Sequence, residues 1–185
     1  MTDEVVEIAR SEMDQAVTAF RHELSRVRTG RASTALLEGI QVNYYGAKAP
    51  LRQVAGLAAP EPRLLVITPY DKSAIHEIEK AIQASDLGLN PMNDGKLIRV
   101  PIPELNEERR RELVKHVRKM AEDFRISMRN HRRDANEMLK QMHKDKQITE
   151  DELRAAEAKI QHLTTEHIEA LDKALGAKEA EIMEV

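Results

Sequence analysis

The sequence predicts a mainly helical α+β protein: an antiparallel three-helix bundle with a small β/α/β domain inserted after its first helix. Three observations predict it. Residues 106–145 contain neither Gly nor Pro, and apolar residues recur there at Leu113, Val117, Met120, Phe124, Met128, Ala135, Met138 and Met142, with His131 filling the gap. Steps of three and four mark one continuous helix with one buried stripe, which at ~1.5 Å per residue runs about 60 Å. Stretches at either end of the chain show the same rhythm, and the block between them does not.

Residues 2–29 form the first expected helix. Thr2 or Asp3 can cap it, and Glu4 and Glu7 suit the positive end of its dipole. Its stripe is Val6, Ala9, Met13, Ala16, Phe20, Leu24 and Val27, and it stops at Thr29-Gly30.

Residues 30–104 read differently. Ile40–Tyr44 alternates as a strand and Tyr45-Gly46-Ala47 reads as a turn. Four of the seven prolines follow, at Pro50, Pro60, Pro62 and Pro69, around a buried strand at Leu64–Thr68. Ser73–Ser85 suits a short helix through Ile75, Ile78 and Ile82. Asn93-Asp94-Gly95 is a turn, and Leu97–Val100 is a last strand.

Pro101-Ile102-Pro103 interrupts any helix, and the long helix starts after it with Asn106 as cap. A break at Lys146–Ile148 leads to the capping box Thr149–Glu152. The third helix buries Leu153, Ala156, Ile160, Leu163, His167, Ala170/Leu171, Ala174 and Ile182. None of the three can shelter its stripe alone. The economical arrangement is a bundle of 1–29 plus 106–185, with 30–105 inserted through crossings at 29–33 and 100–105. A double connection of this kind permits hinge motion.

Composition narrows the function classes. Charged residues make up 33% and aromatic residues 3%, which suits elongated helices. The net charge of −3 excludes a protein that coats nucleic acid wholesale, but charge is segregated. Residues 106–145 carry 12 Lys/Arg against 8 Asp/Glu, and 149–185 carry 4 against 10. The absence of cysteine fits a reducing cytosol. The acidic start lacks the features of a signal peptide, and the longest aliphatic run, Leu64–Ile67, is far short of a membrane span. The expectation is a cytoplasmic protein with no membrane contact.

Signs of catalysis are missing. Gly88 and Gly95-Lys96 are too far apart for a phosphate loop, and His76-Glu77 has no second His four residues on. His162 and His167 fall on different sides of a helix, and a lone core-facing His such as His131 or His167 is a packing residue. No catalytic residue, metal ligand or cofactor is expected.

The arginines of the long helix differ. Arg111, Arg118, Arg125, Arg129 and Arg132 share an arc of roughly 60° beside the apolar stripe. Arg118 can pair with Glu122, and Arg133 with Glu137, as in any solvated face. Arg125 and Arg129 are like charges at i, i+4 with no evident local neutraliser. Either the acidic third helix or an external phosphate backbone could offset them, and periodicity leaves both open. Both Phe lie on core stripes, so no stacking platform for single-stranded bases is expected. A rigid arginine stripe suits the phosphates of a structured, double-helical RNA.

Several blocks carry a resemblance to a known family. They include Val27–Ala32 (VRTGRA), Tyr44-Tyr45-Gly46, Pro50–Gln53 (PLRQ), Asp86–Pro91 (DLGLNP), Ile98–Pro101 (IRVP), Glu107–Arg110 (EERR), Arg129–Asp134 (RNHRRD) and Lys178–Met183 (KEAEIM). In order and over the whole chain they resemble the bacterial ribosome recycling factor. Two departures, Asn106 for a usual Thr and His131 for a usual aliphatic, leave the arginine stripe untouched. The resemblance implies an L-shaped monomer in which Gly30, Pro101 and Pro103 stand at the hinge. It implies a non-enzymatic factor that binds the post-termination ribosome and, with the GTPase elongation factor G, splits it into subunits. It assigns contact with 23S-type RNA of the large subunit to Arg129 and Arg132, then Arg110, Arg28 and Arg31, with Arg125 and Arg133 beside them. Arg28 and Arg31 flank Gly30 and can equally be packing residues of the hinge.

Two other classes compete with this reading. A coiled-coil scaffold or chaperone would bind protein without salt sensitivity and leaves the insert unexplained. An enzyme built on the insert would need a convergent polar pocket.

Overall fold

The computed structural model describes residues 1–184. The elements are α1 (Thr2–Ser25), β1 (Gln41–Tyr44), β2 (Ala47–Pro50), α2 (Leu51–Val54), β3 (Ala55–Glu61), β4 (Leu64–Pro69), α3 (Ile75–Gln83), β5 (Met92–Asn93), β6 (Ile98–Pro101), α4 (Glu107–Lys144) and α5 (Glu150–Met183). Two compact units result: Met1–Leu24 with the chain from Arg111 onward, and Ser25–Arg110. None of the described helices is long and apolar enough to cross a membrane.

The first unit is a three-helix bundle whose directions follow from its cross-links. Arg118 bonds Glu179, Arg125 bonds Asp172 and Arg132 bonds Gln161, so α4 and α5 run antiparallel. The Phe20 and Phe124 rings meet tilted at 5.2 Å and Glu12 meets His131, so α1 also opposes α4. Asp3 with Lys159 and Asp14 with His167 set α1 parallel to α5.

The buried seam departs from the expected stripes by single positions. Ala121 and Leu139 are buried in α4, while Met120 is half-buried and Met138 is 47% exposed. Val17 replaces Ala16 in α1, and Leu175 replaces Ala174 in α5, as the fully buried residue. Ala121, Met128 and Ala135 recur every seven residues, the repeat that keeps a seam facing a partner over a long contact.

Helix ends obey local chemistry. Asn106 Oδ1 accepts from the Arg109 N–H at 2.8 Å, and Thr149 and Glu152 form the reciprocal capping box. After α4 the Gln147 N–H reaches Met142 O and the Lys146 N–H reaches His143 O, both at 2.9 Å. This is a Schellman closure with Lys146 in the left-handed position at φ 59°. Helix α1 ends at Ser25 instead of Thr29, and beyond its end Arg28 reaches across 59 residues to donate to Leu87 O at 2.9 Å within the second unit.

The second unit has more strand than the sequence announces. Strands β1 and β2 form a hairpin through Tyr45-Gly46, both at positive φ as a type I′ turn requires. Strands β3, β4, β6 and β5 lie in that order, all neighbours antiparallel. Leu65 and Ile67 of β4, Ile98 and Val100 of β6, and Ile78 and Ile82 of α3 are fully buried in its core. The connecting segments are tied to the β3–β4 turn: Ala32 N–H donates to Pro62 O at 2.7 Å, Ile102 N–H to Arg63 O at 2.8 Å, and Arg63 pairs with Glu104. Gly30 sits at φ 80° against Leu105, where a side chain would be strained. Asp94 organises the turn before β6 by accepting from the Lys96 and Leu97 N–H groups and from Arg99.

Lys146→Gly is expected to stabilise the protein by about 0.5–1 kcal/mol, since glycine adopts positive φ without the side-chain penalty, as read by urea denaturation. The Asp94 carboxyl is held down to about 2 from 3.8, chiefly by the Leu97 and Lys96 N–H groups. A depressed carboxyl stabilises above its unfolded value, so this turn keeps its full support above about pH 4 and loses it as pH falls towards 2. An NMR titration of Asp94 and the Leu97 amide should show that transition, and Asp94→Asn should abolish it.

Candidate nucleic-acid interface

The arginine row of α4 meets α5 in register, and the register divides it. On α5, Asp172 and Glu179 are seven residues apart, matching the seven between Arg118 and Arg125 on the opposing helix. Arg118 forks onto Glu179, with Nε to Oε1 at 2.7 Å and Nη2 to Oε2 at 3.1 Å. Arg125 sends Nε and Nη2 to Asp172 Oδ1 at 2.9 and 2.6 Å, and Nη1 to Glu122 Oε2 at 3.0 Å. Its side chain is only 23% exposed. The Arg118 hydrogen bond holds the Glu179 carboxyl below the usual carboxylate range.

The acid ladder then stops. Seven residues before Asp172, α5 carries Thr165, and Arg132 Nη1 meets the neutral Gln161 Oε1 at 3.1 Å. Arg129 bonds no residue of α5, and its Nη2 meets Glu122 Oε1 at 3.2 Å. Arg133 has only a 3.8 Å approach to Asp134 and is 66% exposed. Arg129, Arg132 and Arg133 therefore form a compact basic edge with no carboxylate partner from another helix.

Two charge expectations are corrected. Arg118 pairs with Glu179, while Glu122 is taken up by Arg125 and Arg129, and Arg133 approaches Asp134. Arg125 and Arg129 do have a local neutraliser, Glu122, reached from i+3 and i+7. Of the two sources of anion left open by the sequence, the third helix serves Arg118 and Arg125. The matched spacing of 118/125 with 172/179 was the signal available for this.

The remaining sequence-predicted residues belong to the second unit. Arg28 donates from Nη1 to Leu87 O at 2.9 Å. Arg110, in the first turn of α4, donates from Nε to Leu105 O at 3.3 Å, and Arg31 lies beside Gly30. Gly30, Pro101 and Pro103 all lie inside the second unit, Pro101 as the last residue of β6 opposite Leu64. His131 and His167 are half-buried ties to α1: His131 Nδ1 is 3.0 Å from Glu12, and His167 Nε2 is 2.7 Å from Asp14. Among the described residues no group of three acidic or histidine side chains is placed to hold a metal.

Sequence reasoning missed one grouping. Tyr44 and Tyr45 hydroxyls both donate to Asp71 Oδ2, at 3.4 and 2.8 Å, and Tyr70 is the next residue along. Tyr45 and Tyr70 are 79% and 72% exposed. Two tyrosine hydroxyls thus share one carboxylate, and with Tyr70 beside Asp71 in the chain exposed aromatic surface does exist on the second unit. Only the hairpin and the β4 terminus, folded together, bring it about.

Comparison with known proteins agrees with this architecture. The family described as Ribosome recycling factor matches residues 20–183. The ribosome-recycling factor of Geobacillus kaustophilus (strain HTA426) is 54% identical over 185 residues, all of both chains, and that of Bacillus subtilis (strain 168) is 51% identical over the same span. A solution structure of a ribosome recycling factor superposes with a TM-score of 0.81 at 42% identity, covering 100% of this chain and 98% of that one. A T. thermophilus ribosome recycling factor, placed with E. coli elongation factor G on the E. coli post-termination complex, gives 0.69 at 45% identity and full coverage of both chains. The chain belongs to the ribosome recycling factor family, a family of non-catalytic translation factors.

Proposed function

We propose that this protein binds the post-termination ribosome through the α4 arginine edge. With elongation factor G and GTP, it then separates the subunits and frees mRNA and tRNA for a new round of translation. One observation carries the reading: beyond the pairs with Asp172 and Glu179, Arg129, Arg132 and Arg133 are left with no cross-helix carboxylate. A cluster of like charges on a rigid helix is kept only at a cost, which a phosphate backbone offsets. A straight helix presents these charges as a row, which suits structured 23S-type RNA of the large subunit, gripped by shape and phosphate.

Arg125 is assigned to holding α4 against α5, with RNA contact secondary. Arg110, Arg28 and Arg31 enter this reading through family resemblance alone, and Arg28 also anchors the second unit. The mechanism is mechanical. The bundle stays fixed on RNA as a monomer while the second unit is driven by elongation factor G, whose GTP hydrolysis supplies the energy. The motion is taken up at the two chain crossings, with Gly30, Pro101 and Pro103 setting the path of the chain there. This is an activity of the cytoplasm, where ribosomes work.

Arg132→Ala should weaken sedimentation with large subunits and flatten the log–log salt slope by about one charge, leaving helicity unchanged. Arg129→Ala/Arg132→Ala should lose about two, and equal binding by this variant and the wild type would overturn the reading. Salt-insensitive binding would favour the scaffold alternative. Arg125→Ala should behave in the opposite sense, losing up to about 1 kcal/mol of stability in denaturation while retaining most RNA affinity.

A further inference from the structure

The arginine edge carries an acid of its own. Glu122 divides its carboxylate between two guanidinium groups, Oε2 accepting from Arg125 and Oε1 from Arg129. Arg125 does not depend on it, because Asp172 accepts two further bonds from the same guanidinium. Arg129 does: Glu122 Oε1 is its one hydrogen-bond partner among the described residues. The link spans two turns of a single helix and joins side chains that are 47% and 48% exposed. It therefore fastens no helix to another and adds nothing to the core. The guanidinium bonds, that of Arg125 first, hold the Glu122 carboxyl below its usual range, so it stays charged at neutral pH.

A carboxylate and a phosphate offer a guanidinium the same thing, paired anionic oxygens within hydrogen-bond reach. We infer that Glu122 is an internal competitor for the phosphate contact of Arg129, occupying in the free protein the place that a backbone phosphate oxygen of structured RNA takes in the complex. The inference rests on the RNA-binding reading above and deepens it. A factor that must leave the ribosome after each round gains from a contact with a ready substitute, because Arg129 can return to Glu122 as the phosphate departs. Glu122 acts here as a positioning residue, through Arg129.

The test is sedimentation with purified large ribosomal subunits across a salt series. Glu122→Gln should bind about two- to fivefold tighter, the scale of one exposed ion pair released, with a salt slope steeper by about one charge. Glu122→Ala is run beside it, since glutamine can still accept from Arg129. Asp123→Asn is the control: it removes the same charge one residue away, from an exposed side chain bonded to neither arginine. In an Arg129→Ala background the gain from Glu122→Ala should fall to that of Asp123→Asn, since coupling through a shared partner vanishes with it. A gain no larger than the control's, or one that persists without Arg129, would overturn the inference while leaving the RNA reading standing. If Arg129→Ala/Arg132→Ala binds like the wild type, the RNA reading fails first and the competitor role falls with it.

Discussion

The first unit depends on one constraint: α4 is 38 residues long and cannot cover its own apolar seam. At ~1.5 Å per residue it extends about 57 Å, and an isolated helix of that composition would leave Val117, Ala121, Met128, Ala135 and Leu139 in water. Burying them takes long partners, supplied by α5 with 34 residues and α1 with 24. The helix ends are then specified tightly. Asn106, the Schellman closure at Lys146 and the Thr149–Glu152 box fix where α4 starts, stops and hands over to α5. That short connection sets the antiparallel register between them.

Register in turn decides the electrostatics. With α5 antiparallel, its acids at 172 and 179 fall opposite Arg125 and Arg118, and further along Arg132 meets the neutral Gln161. A basic helix is thereby neutralised over one part and left charged over the next. The basic edge is a remainder set by helix packing, and it sits on a long rigid element whose side chains hold fixed spacing. Such a surface is suited to a partner of fixed charge spacing, which nucleic acid is.

The second unit solves a different problem, burying a small core with little helix. It uses turns with strong local preferences: Tyr45-Gly46 at positive φ, Asp94 satisfying two N–H groups before β6, and Asp71 capping the short turn before α3. Each fixes a strand or helix entry, so the sheet order β3-β4-β6-β5 follows from few residues. Asp71 also gathers the tyrosine hydroxyls, which ties the hairpin to the sheet at one exposed point.

What the sequence by itself determined were the features with a strong local signal. The three helices, the caps at Asn106 and Thr149, strands β1, β4 and β6 and helix α3 all follow from periodicity and capping chemistry acting over a few residues. The common face of Arg125, Arg129 and Arg132 was legible for the same reason, since a helix fixes angle by spacing. Strand β3 was not legible: Ala55-Gly56-Leu57-Ala58-Ala59-Pro60 has little intrinsic preference for a strand and becomes one by pairing with β4. The burial of Ala121 rather than Met120 and the commitment of Arg118 and Arg125 to α5 were decided only by tertiary structure. Each depends on a partner far away in the chain, and a local pattern holds no information about which side chain will stand opposite another.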